Sequence, residues 1–544
     1  MTLYKYYNPR RVYFILLIVT AASLALSPFM ISVGIILLTV NWFAEGGIKE
    51  KFHLLKNNPA LWVLISIYLL HLIGLLWTSD FTYALRDLKI KLPILILPVI
   101  IGTSDPLDRK QINRLLQFFI AGIVVSSLIS LSVLLGFTGK VIGDARDISV
   151  FISHIRFSLL INIAIYSLVY FMLFTGQKSA GLRVFYGMVA GWLIIFLFLL
   201  QSLSGLVAFG VSALVLLVIW LFRIRNMMLR FFIVVSMLTL ILIAASYVTH
   251  IIADFYTTDI VKQEELPKFT AHGNPYTHHL ENDQTENGHY VWLYLSEKEL
   301  KKAWNKRSSI DYDSLDERGN HIKYTLIRYL TSLGYRKDSA GVYKLSDEDV
   351  KAIESGFANH IFVDHYGLYP RIYKIIWEFN EYTHGSVPNG HSLTMRIEYL
   401  KGAFHIIKNH FWLGTGTGDT QLAFNQYYRE NYSQLEKPYR RRAHNQYVTF
   451  FLSFGVFGFL WAITALVYPI IAKRGYRDFM FLVFIITAFI SMFNEDTLET
   501  QAGATFFAFF YALFLFGTRG TFDLSLKNSG SKIRKKIKFE GIKD

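Results

Sequence analysis

Apolar runs separated by short polar loops fill the first 250 residues of the chain and return after residue 446. A run of about 20 apolar residues crosses the hydrocarbon core of a bilayer as an α-helix. The fourth run is short, and it reaches that length only if its helix recruits Tyr83–Leu88. The pattern predicts about twelve membrane-spanning helices, at Val12–Ala25, Pro28–Phe43, Ala60–Trp77, Leu92–Ile101, Leu115–Gly136, Phe151–Phe174, Val184–Leu200, Gly205–Leu221, Phe231–Val248, Tyr447–Ile471, Phe479–Phe493 and Ala502–Phe516.

Lysine and arginine are distributed unevenly between alternate loops, which predicts the orientation of these helices. With the N-terminus in the cytoplasm, the short outer loops hold only Arg86, Lys89, Lys140 and Arg146. The cytoplasmic segments then hold a much larger set: Lys5, Arg10, Arg11, Lys49, Lys51, Lys56, Arg109, Lys110, Arg114, Lys178, Arg183, Arg223, Arg225, Arg230, Lys473, Arg474, Arg477 and the basic residues after Phe516. Because cytoplasmic loops carry the excess of basic residues, we predict a multi-pass protein of the cytoplasmic (inner) membrane with both termini inside.

A polar segment separates the ninth predicted span from the tenth. We therefore predict an all-α polytopic membrane protein with a membrane domain at 1–250, a large and mainly helical extracytoplasmic (periplasmic) domain at 251–446, a second membrane part at 447–517 and a basic cytoplasmic tail at 518–544. The tail is expected to lie on the anionic inner leaflet. Within the outer domain, Ile251–Tyr290 is predicted to be irregular, and helices are predicted at Ser296–Asn305, Ile322–Leu333, Ser346–Ser355 and Arg371–Tyr382.

The overall composition agrees with a membrane protein and excludes other classes. Apolar residues make up 53% of the 544 residues and charged residues only 17%, which is less charge than soluble proteins carry. The net charge of +15 first suggests a nucleic-acid partner. The basic residues lie in short runs between apolar segments, however, so we predict membrane lipids and no nucleic acid as partners. The absence of cysteine excludes disulfides and thiolate sites.

The first candidate for a functional residue is Arg396, which opens a helical stretch that runs to about Asn409. A glycine-rich loop, Gly414–Gly418, follows it. Its glycines permit tight turns and close approach of the backbone to a ligand, but no strand precedes them, so the loop is not a dinucleotide fingerprint. The alternatives are a solvated surface arginine and a loop that merely returns the chain to the membrane.

The second candidate is the polar run just before the tenth span. In it, Arg441 and Arg442 offer guanidinium forks that match phosphate oxygens. His444 is suited to act as an acid or base near neutral pH, and Asn445 beside it is a possible orienting group. The alternative is a basic anchor at a helix end, although this end is predicted to face outward, where the charge rule does not require arginine.

A third candidate, Arg156, lies inside the sixth predicted span near its outer end. An arginine at depth costs roughly 2.5–3.5 kcal/mol on insertion scales. Such a residue is expected to have a partner or a ligand, unless its side chain extends to the interface.

Further candidates lie at the outer ends of other spans. Arg86, Lys89 and Lys91 precede the fourth span, with Arg86 and Lys89 on one helical face; they either bind a lipid phosphate or extend to the interface. Glu495 and Asp496 lie in the last outer turn, as a general base or orienting groups, or as ordinary loop acids. The sequence has no metal-binding motif and no nucleophile elbow, so we predict metal-independent chemistry without a cofactor.

The stretch from Arg396 to Leu460 resembles the O-antigen ligase family, which includes the related repeat-unit polymerases. The resemblance is carried by the arginine-led helix, the Gly414–Gly418 loop, and a His-Asn pair entering an apolar helix that contains Gly455 and Gly458. The twelve predicted spans with a large outer loop after the ninth also match the family.

Two departures from the family stand out. The family usually has an arginine after a serine near the outer end of the eighth span, whereas this chain reads Ser-Leu-Ser-Gly-Leu over Ser202–Leu206. Arg156 is our candidate to replace that arginine in space. The section Ile251–Arg371 is longer than the family leads us to expect.

The resemblance implies a glycosyltransferase that moves a glycan from an undecaprenyl-diphosphate carrier to an acceptor, lipid A-core or another surface acceptor, on the outer face of the membrane. It implies catalytic roles for His444 and Arg396. The cations Arg156, Arg441, Arg442, Arg86, Lys89 and Lys91 are then candidates for binding the diphosphate carrier. A polymerase that joins O-antigen or exopolysaccharide repeat units is an alternative. A transporter or flippase is a more distant one, because no six-plus-six repeat is visible.

Overall fold

Prolines and polar caps define where several helices begin. Pro9, Pro28 and Pro59 occupy first helical positions, where a missing backbone N–H has no intrahelical partner to lose. The computed structural model describes residues 7–139, 145–175, 179–363, 368–431 and 433–518. Of the predicted tail, only Thr518 is described, and Lys5, Lys140 and Lys178 also lie outside the described residues.

The contacts divide the chain into two compact units, Met1–Trp220 with Val387–Asp544, and Leu221–Ser386. The helices of the first unit are α1 (Pro9–Ser23), α2 (Pro28–Ala44), α3 (Ile48–Lys56), α4 (Pro59–Ile73, extended by a 3-10 turn at Gly74–Trp77), α5 (Phe81–Thr103), α6 (Arg109–Leu134), α7 (His154–Phe174), α8 (Ala180–Leu199), α9 (Leu203–Leu221), α16 (Ser392–Asn409), α17 (Thr420–Glu430), α18 (Gln446–Ala472), α19 (Phe479–Asn494) and α20 (Gln501–Leu515).

The second unit contains α10 (Met227–Tyr256), the two-residue strands β1 (Thr285–Glu286) and β2 (His289–Tyr290), α11 (Glu297–Arg307), α12 (Ile322–Ser332), α13 (Ser339–Lys344), α14 (Asp347–Glu354) and α15 (Leu368–Thr383). The strands pair with each other in antiparallel fashion. All four helices predicted for the outer segment are present, with ends shifted by a few residues. The stretch predicted to be irregular, Ile251–Tyr290, begins with the last residues of α10, is largely irregular after Tyr256 and ends in the pair of short strands. A separate apolar core surrounds Trp304, Leu326 and Leu330.

A helix is present at each of the twelve predicted spans, but the number of spans remains a prediction. Seven of the described helices are long and apolar enough to cross a membrane: α4 with its 3-10 turn, α6, α7, α8, α9, α10 and α18. An eighth span results if α2 and α3, which are bent by 110° to each other, are counted as one. The helices α19 and α20 are apolar but shorter. The fourth predicted span does recruit the residues before it, because α5 runs unbroken from Phe81.

A continuous apolar core holds the first unit together, with fully buried side chains such as Leu17, Phe119 and Phe510. Within it, α5 packs against α20, and α4 packs against α18. A smaller core joins α16, α17 and the start of α18 through Tyr399, Phe424 and Leu452. These packings bring the polar N-terminal half of α5, the helix of Arg396 and the connection between α19 and α20 into one region.

Candidate functional site

The Gly414–Gly418 loop connects α16 to α17, and its backbone groups bind other parts of the protein. The N–H groups of Thr415 and Gly416 donate to the carbonyls of Leu452 and Ser453, at 2.8 and 2.9 Å. Just beyond the loop, the Asp419 carboxylate accepts hydrogen bonds from the backbone of the segment between α4 and α5. The loop therefore anchors α16 and α17 to the membrane helices. This agrees with the alternative interpretation of the loop, as a connection that returns the chain to the membrane.

Two glycines permit this anchoring. Gly414 has φ +71°, and a Cβ atom on it would lie 2.4 Å from the backbone of α18. Gly455 breaks the helical geometry of α18 with φ +62° and ψ −168°, and its own Cβ would lie 2.2 Å from the carbonyl oxygen of Trp412. Because L side chains rarely adopt such φ values and no space exists for a Cβ, both positions require glycine. Their role is to dock the loop into the break of α18.

His444 lies immediately before α18 in an unusual backbone conformation. Its φ is +49°, the left-handed region that non-glycine residues seldom occupy and that concentrates at functional sites. The next residue, Asn445, caps α18: its side chain accepts from the N–H of Val448 at 3.0 Å and donates to the Phe493 carbonyl at 2.9 Å. The His444 ring stacks on the Tyr399 ring, with centroids 5.5 Å apart and an interplanar angle of 29°. The cap thus fixes the backbone beside His444, and Tyr399 covers one face of its ring.

Glu495, in the turn after α19, brings His444 and Arg396 to one carboxylate. One of its oxygens, Oε1, accepts a hydrogen bond from Nη2 of Arg396 at 2.7 Å, and the other, Oε2, lies 3.8 Å from Nδ1 of His444. The Glu495 side chain is 16% exposed. Arg396 lies in the second turn of α16, since that helix begins at Ser392 rather than at the arginine. These two predicted residues, 48 positions apart in sequence, therefore share one partner.

Arg156 belongs to the same cluster. It lies in the first turn of α7, donates to the Ser153 hydroxyl at 3.2 Å, and lines a narrow apolar crevice with Leu160 and Phe506. Burial alone raises the pKa of the Glu495 carboxyl, but the interaction with the His444 side chain and the charges of Arg396 and Arg156 outweigh that effect and hold the pKa below its ordinary value. Glu495 is therefore ionised at neutral pH.

A second, more deeply buried cluster surrounds Glu499, four residues after Glu495 in the turn between α19 and α20. Its Oε2 atom lies 2.7 Å from Nζ of Lys91 and 3.1 Å from Nη1 of Arg442. Lys91 also pairs with Asp87 one turn earlier on α5, at 2.5 Å. Burial raises the pKa of Glu499, yet the charges of Lys91 and Arg442 dominate and place it well below its usual range. These ion pairs tie α5, the start of α18 and the turn before α20 together.

The burial of Lys91 makes a testable difference from its neighbour Lys89. Removing one partner of a buried ion network costs about 3–5 kcal/mol, because the remaining charges stay desolvated. We expect Lys91→Met to lower the thermal unfolding midpoint of the detergent-purified protein clearly. Lys89→Met, on the exposed side of the same helix, is the matched control and should leave the midpoint unchanged. Equal midpoints for both variants would contradict a structural role for the network.

The remaining predicted residues are dispersed around these clusters. Arg86, Lys89 and Arg441 have exposed side chains. Asp496 is buried next to the Glu499 cluster, where burial raises the pKa of its carboxyl, and it accepts from the Thr449 hydroxyl at 2.8 Å. Among the described residues, no group of three His, Asp or Glu side chains is arranged to hold a metal ion.

Three participants were not predicted from the sequence: Tyr399, Asp87 and Glu499. Tyr399 follows Arg396 by three residues, which places both on one face of α16. Asp87 and Lys91 have the i, i+4 spacing of a helical ion pair, and Glu499 follows Glu495 at the same spacing. These spacings were available as signals, but they do not reveal which distant residue lies opposite.

Comparison with known proteins supports the predicted resemblance. The family model described as O-antigen ligase matches residues 360–463, which include Arg396, the glycine-rich loop and His444. The match confirms the resemblance to that family. Most of the long section before Arg371 lies outside the matched residues. No curated protein sequence matches the chain.

Proposed function

We propose, on the match of residues 360–463 to the O-antigen ligase family model, that the protein transfers a glycan from an undecaprenyl-diphosphate carrier to an acceptor hydroxyl, on lipid A-core or another surface acceptor. The transfer takes place at the outer face of the cytoplasmic membrane, the orientation that the loop charges predict. The observation that carries the proposal is the Glu495 carboxylate, which pairs with Arg396 and faces His444.

His444 is the general base of the proposed reaction. The ionised Glu495 faces Nδ1 and favours the tautomer with the proton on that nitrogen, which leaves Nε2 as the acceptor of a proton. The separation of 3.8 Å is longer than a hydrogen bond, and catalytic hydrogen bonds often shorten when substrate binds. Stacking on Tyr399 fixes the plane of the imidazole ring.

In the transfer step, the acceptor hydroxyl oxygen bonds to the anomeric carbon of the donor glycan as its proton passes to Nε2 of His444. The bond between that carbon and the diphosphate oxygen breaks, and the diphosphate leaves with the electron pair. Negative charge therefore develops on the leaving group, and fixed cations stabilise it best. Among the described residues, the Arg396 side chain donates only to Glu495, through Nη2. Its Nη1 and Nε groups therefore remain for the diphosphate.

Arg156 is the second proposed ligand of the diphosphate, in place of the arginine that Ser202–Leu206 lacks. Its proximity to Glu495 supports this role. The exposed Arg441, Arg86 and Lys89 are proposed to attract the carrier at the membrane surface. Arg442 and Lys91 are engaged with Glu499, so we assign them to hold the site in shape, and any contact of theirs with the diphosphate would require that network to rearrange.

Analysis of surface and lipid-linked glycans in a deletion strain tests the proposal. A ligase predicts that polymer of full length accumulates on the undecaprenyl carrier and is missing from the surface acceptor. Accumulation of single repeat units on the carrier would instead indicate a polymerase. Restoration by the wild-type gene is the control, and unchanged glycans in the deletion strain would contradict both activities.

A further inference from the structure

A polar cleft of about 330 Å³ lies in the second unit, between the end of α10 and α15. Its lining includes Asp254, Asn287, Ser332, His360, Tyr369 and Tyr373. Among the described residues that line it, Ile361 alone is aliphatic. The cleft has the volume of a small-ligand site. Asp254, Asn287 and Ser332 of its wall come from the section that precedes the O-antigen ligase match, and the other lining residues lie at the start of the matched range.

One wall of the cleft is aromatic. Tyr369 and Tyr373 lie one turn apart on α15, with ring planes inclined by 21° and centroids 6.1 Å apart. Tyr373 is nearly fully buried, and its hydroxyl oxygen accepts from the backbone N–H of Asn287 at 3.3 Å. Tyr369 is half-buried, so its ring presents a flat apolar surface with a polar tip.

The opposite wall is polar and held rigidly. Asn287 has a φ of +51°, and its amide donates to the Ser332 carbonyl at 2.8 Å and lies 3.3 Å from Nδ1 of His360. Behind it, Asn359 donates to Glu286 at 2.6 Å, and Glu286 in turn pairs with Arg328. A wall that is ordered before a ligand arrives loses little conformational entropy on binding.

The charges of the cleft select against an anion. None of the described residues that line it is a lysine or arginine, and Asp254 contributes a carboxylate that would repel phosphate. Burial lowers the pKa of His360, which keeps its imidazole neutral near pH 7. Amide, hydroxyl, imidazole and carboxylate groups together offer both donors and acceptors. A ligand that carries many neutral hydroxyl groups and one apolar face matches this inventory.

We propose that this cleft is a glycan-binding site that holds about one or two sugar rings, stacked on Tyr369 and hydrogen-bonded to Asp254 and Asn287. We identify the bound sugar with the glycan that the enzyme transfers, and this identification rests on the proposed function. The cleft binds the sugar portion and not the diphosphate, so it is a docking site separate from the catalytic residues.

Binding of a phosphate-free oligosaccharide to the full-length protein tests this inference. The probe is the glycan released by mild acid from the lipid-linked glycan of the source strain and labelled with a fluorophore at its reducing end. The protein carries His444→Ala, so that binding is measured without transfer. We expect Asp254→Asn and Tyr369→Ala each to weaken binding at least about tenfold, as the loss of a charged hydrogen-bond acceptor or of a stacking surface predicts. Tyr343→Ala, at a tyrosine of the same unit that is 53% exposed and outside the cleft, should bind normally.

The outcomes separate this inference from the proposed function. Binding that depends on the cleft and resists competition by inorganic pyrophosphate supports the site, whether or not the wild-type protein transfers glycan. Binding that is unchanged in Asp254→Asn, an isosteric change that should not disturb the fold, overturns it. So does the absence of binding, or displacement by pyrophosphate, even if transfer by the wild-type protein is demonstrated.

Discussion

Replacing His444 with alanine is expected to reduce glycan transfer roughly 10²–10⁴-fold, the range typical of losing a general base. Without the imidazole, the acceptor hydroxyl must lose its proton to water as it attacks. The variant should accumulate to normal levels in the membrane, because the left-handed position already accommodates a Cβ atom and no apolar span is altered.

The measurement is transfer in a complemented deletion strain, with protein levels determined by immunoblot. His410→Ala is a matched control, because His410 is an exposed histidine at the end of α16, away from Glu495. Normal transfer by the His444 variant would remove its catalytic role. Loss of the variant protein from the membrane would instead indicate that His444 has a structural role.

Replacing Arg396 with alanine should raise the barrier by ~2–4 kcal/mol, which corresponds to a rate loss of roughly 30- to 1,000-fold, by analogy with the loss of one oxyanion donor. Arg396→Lys should restore only part of the rate, since an ammonium group does not reproduce the planar fork that matches phosphate. Arg429→Ala, at an exposed arginine of α17, is the control and should transfer normally.

A double variant distinguishes charge stabilisation from a structural effect. Arg396→Ala also removes the partner of a carboxylate that is only 16% exposed, and an unpaired buried charge is itself costly. If that cost causes the defect, adding Glu495→Gln should rescue transfer. If Arg396 contacts the diphosphate, the double variant should stay as slow as the single one, and rescue would contradict the proposed role.

The fold was largely predictable because hydrophobic runs are local signals. All twelve predicted spans have a helix, and the recruitment of Tyr83–Leu88 by the fourth run is present in α5. Length and charge explain why the number of spans is harder to predict: α19 and α20 are short, and α5 carries Asp87 and Lys91 within its first turns. The side chains of α19 and α20 are mostly buried, and so are Asp87 and Lys91 of α5, so packing against other helices compensates for the short length and for the charges.

The site was predictable only in part, because its partners are distant in sequence. Arg396 and His444 were identified from a local pattern, whereas the carboxylate that they share lies 99 residues after the arginine. Lys91 has the same charge as Lys89, and only packing decides that one is buried against Glu499 and the other exposed. The glycine-rich loop has the composition of a ligand-binding loop, but its backbone N–H groups donate within the protein, those of Thr415 and Gly416 to carbonyls of α18 just before its break at Gly455.

The central claim is that Arg396 and His444, held by Glu495, catalyse glycan transfer from the lipid carrier. The most direct test incubates the purified protein in lipid nanodiscs with undecaprenyl-diphosphate-linked glycan, an acceptor and a metal chelator, and follows both products by mass spectrometry. We predict that glycosylated acceptor and free undecaprenyl diphosphate appear in equal amounts, and that both decline together in the His444→Ala and Arg396→Ala variants. Undiminished product formation by the variants, or an intact donor with the wild-type protein, would contradict the account.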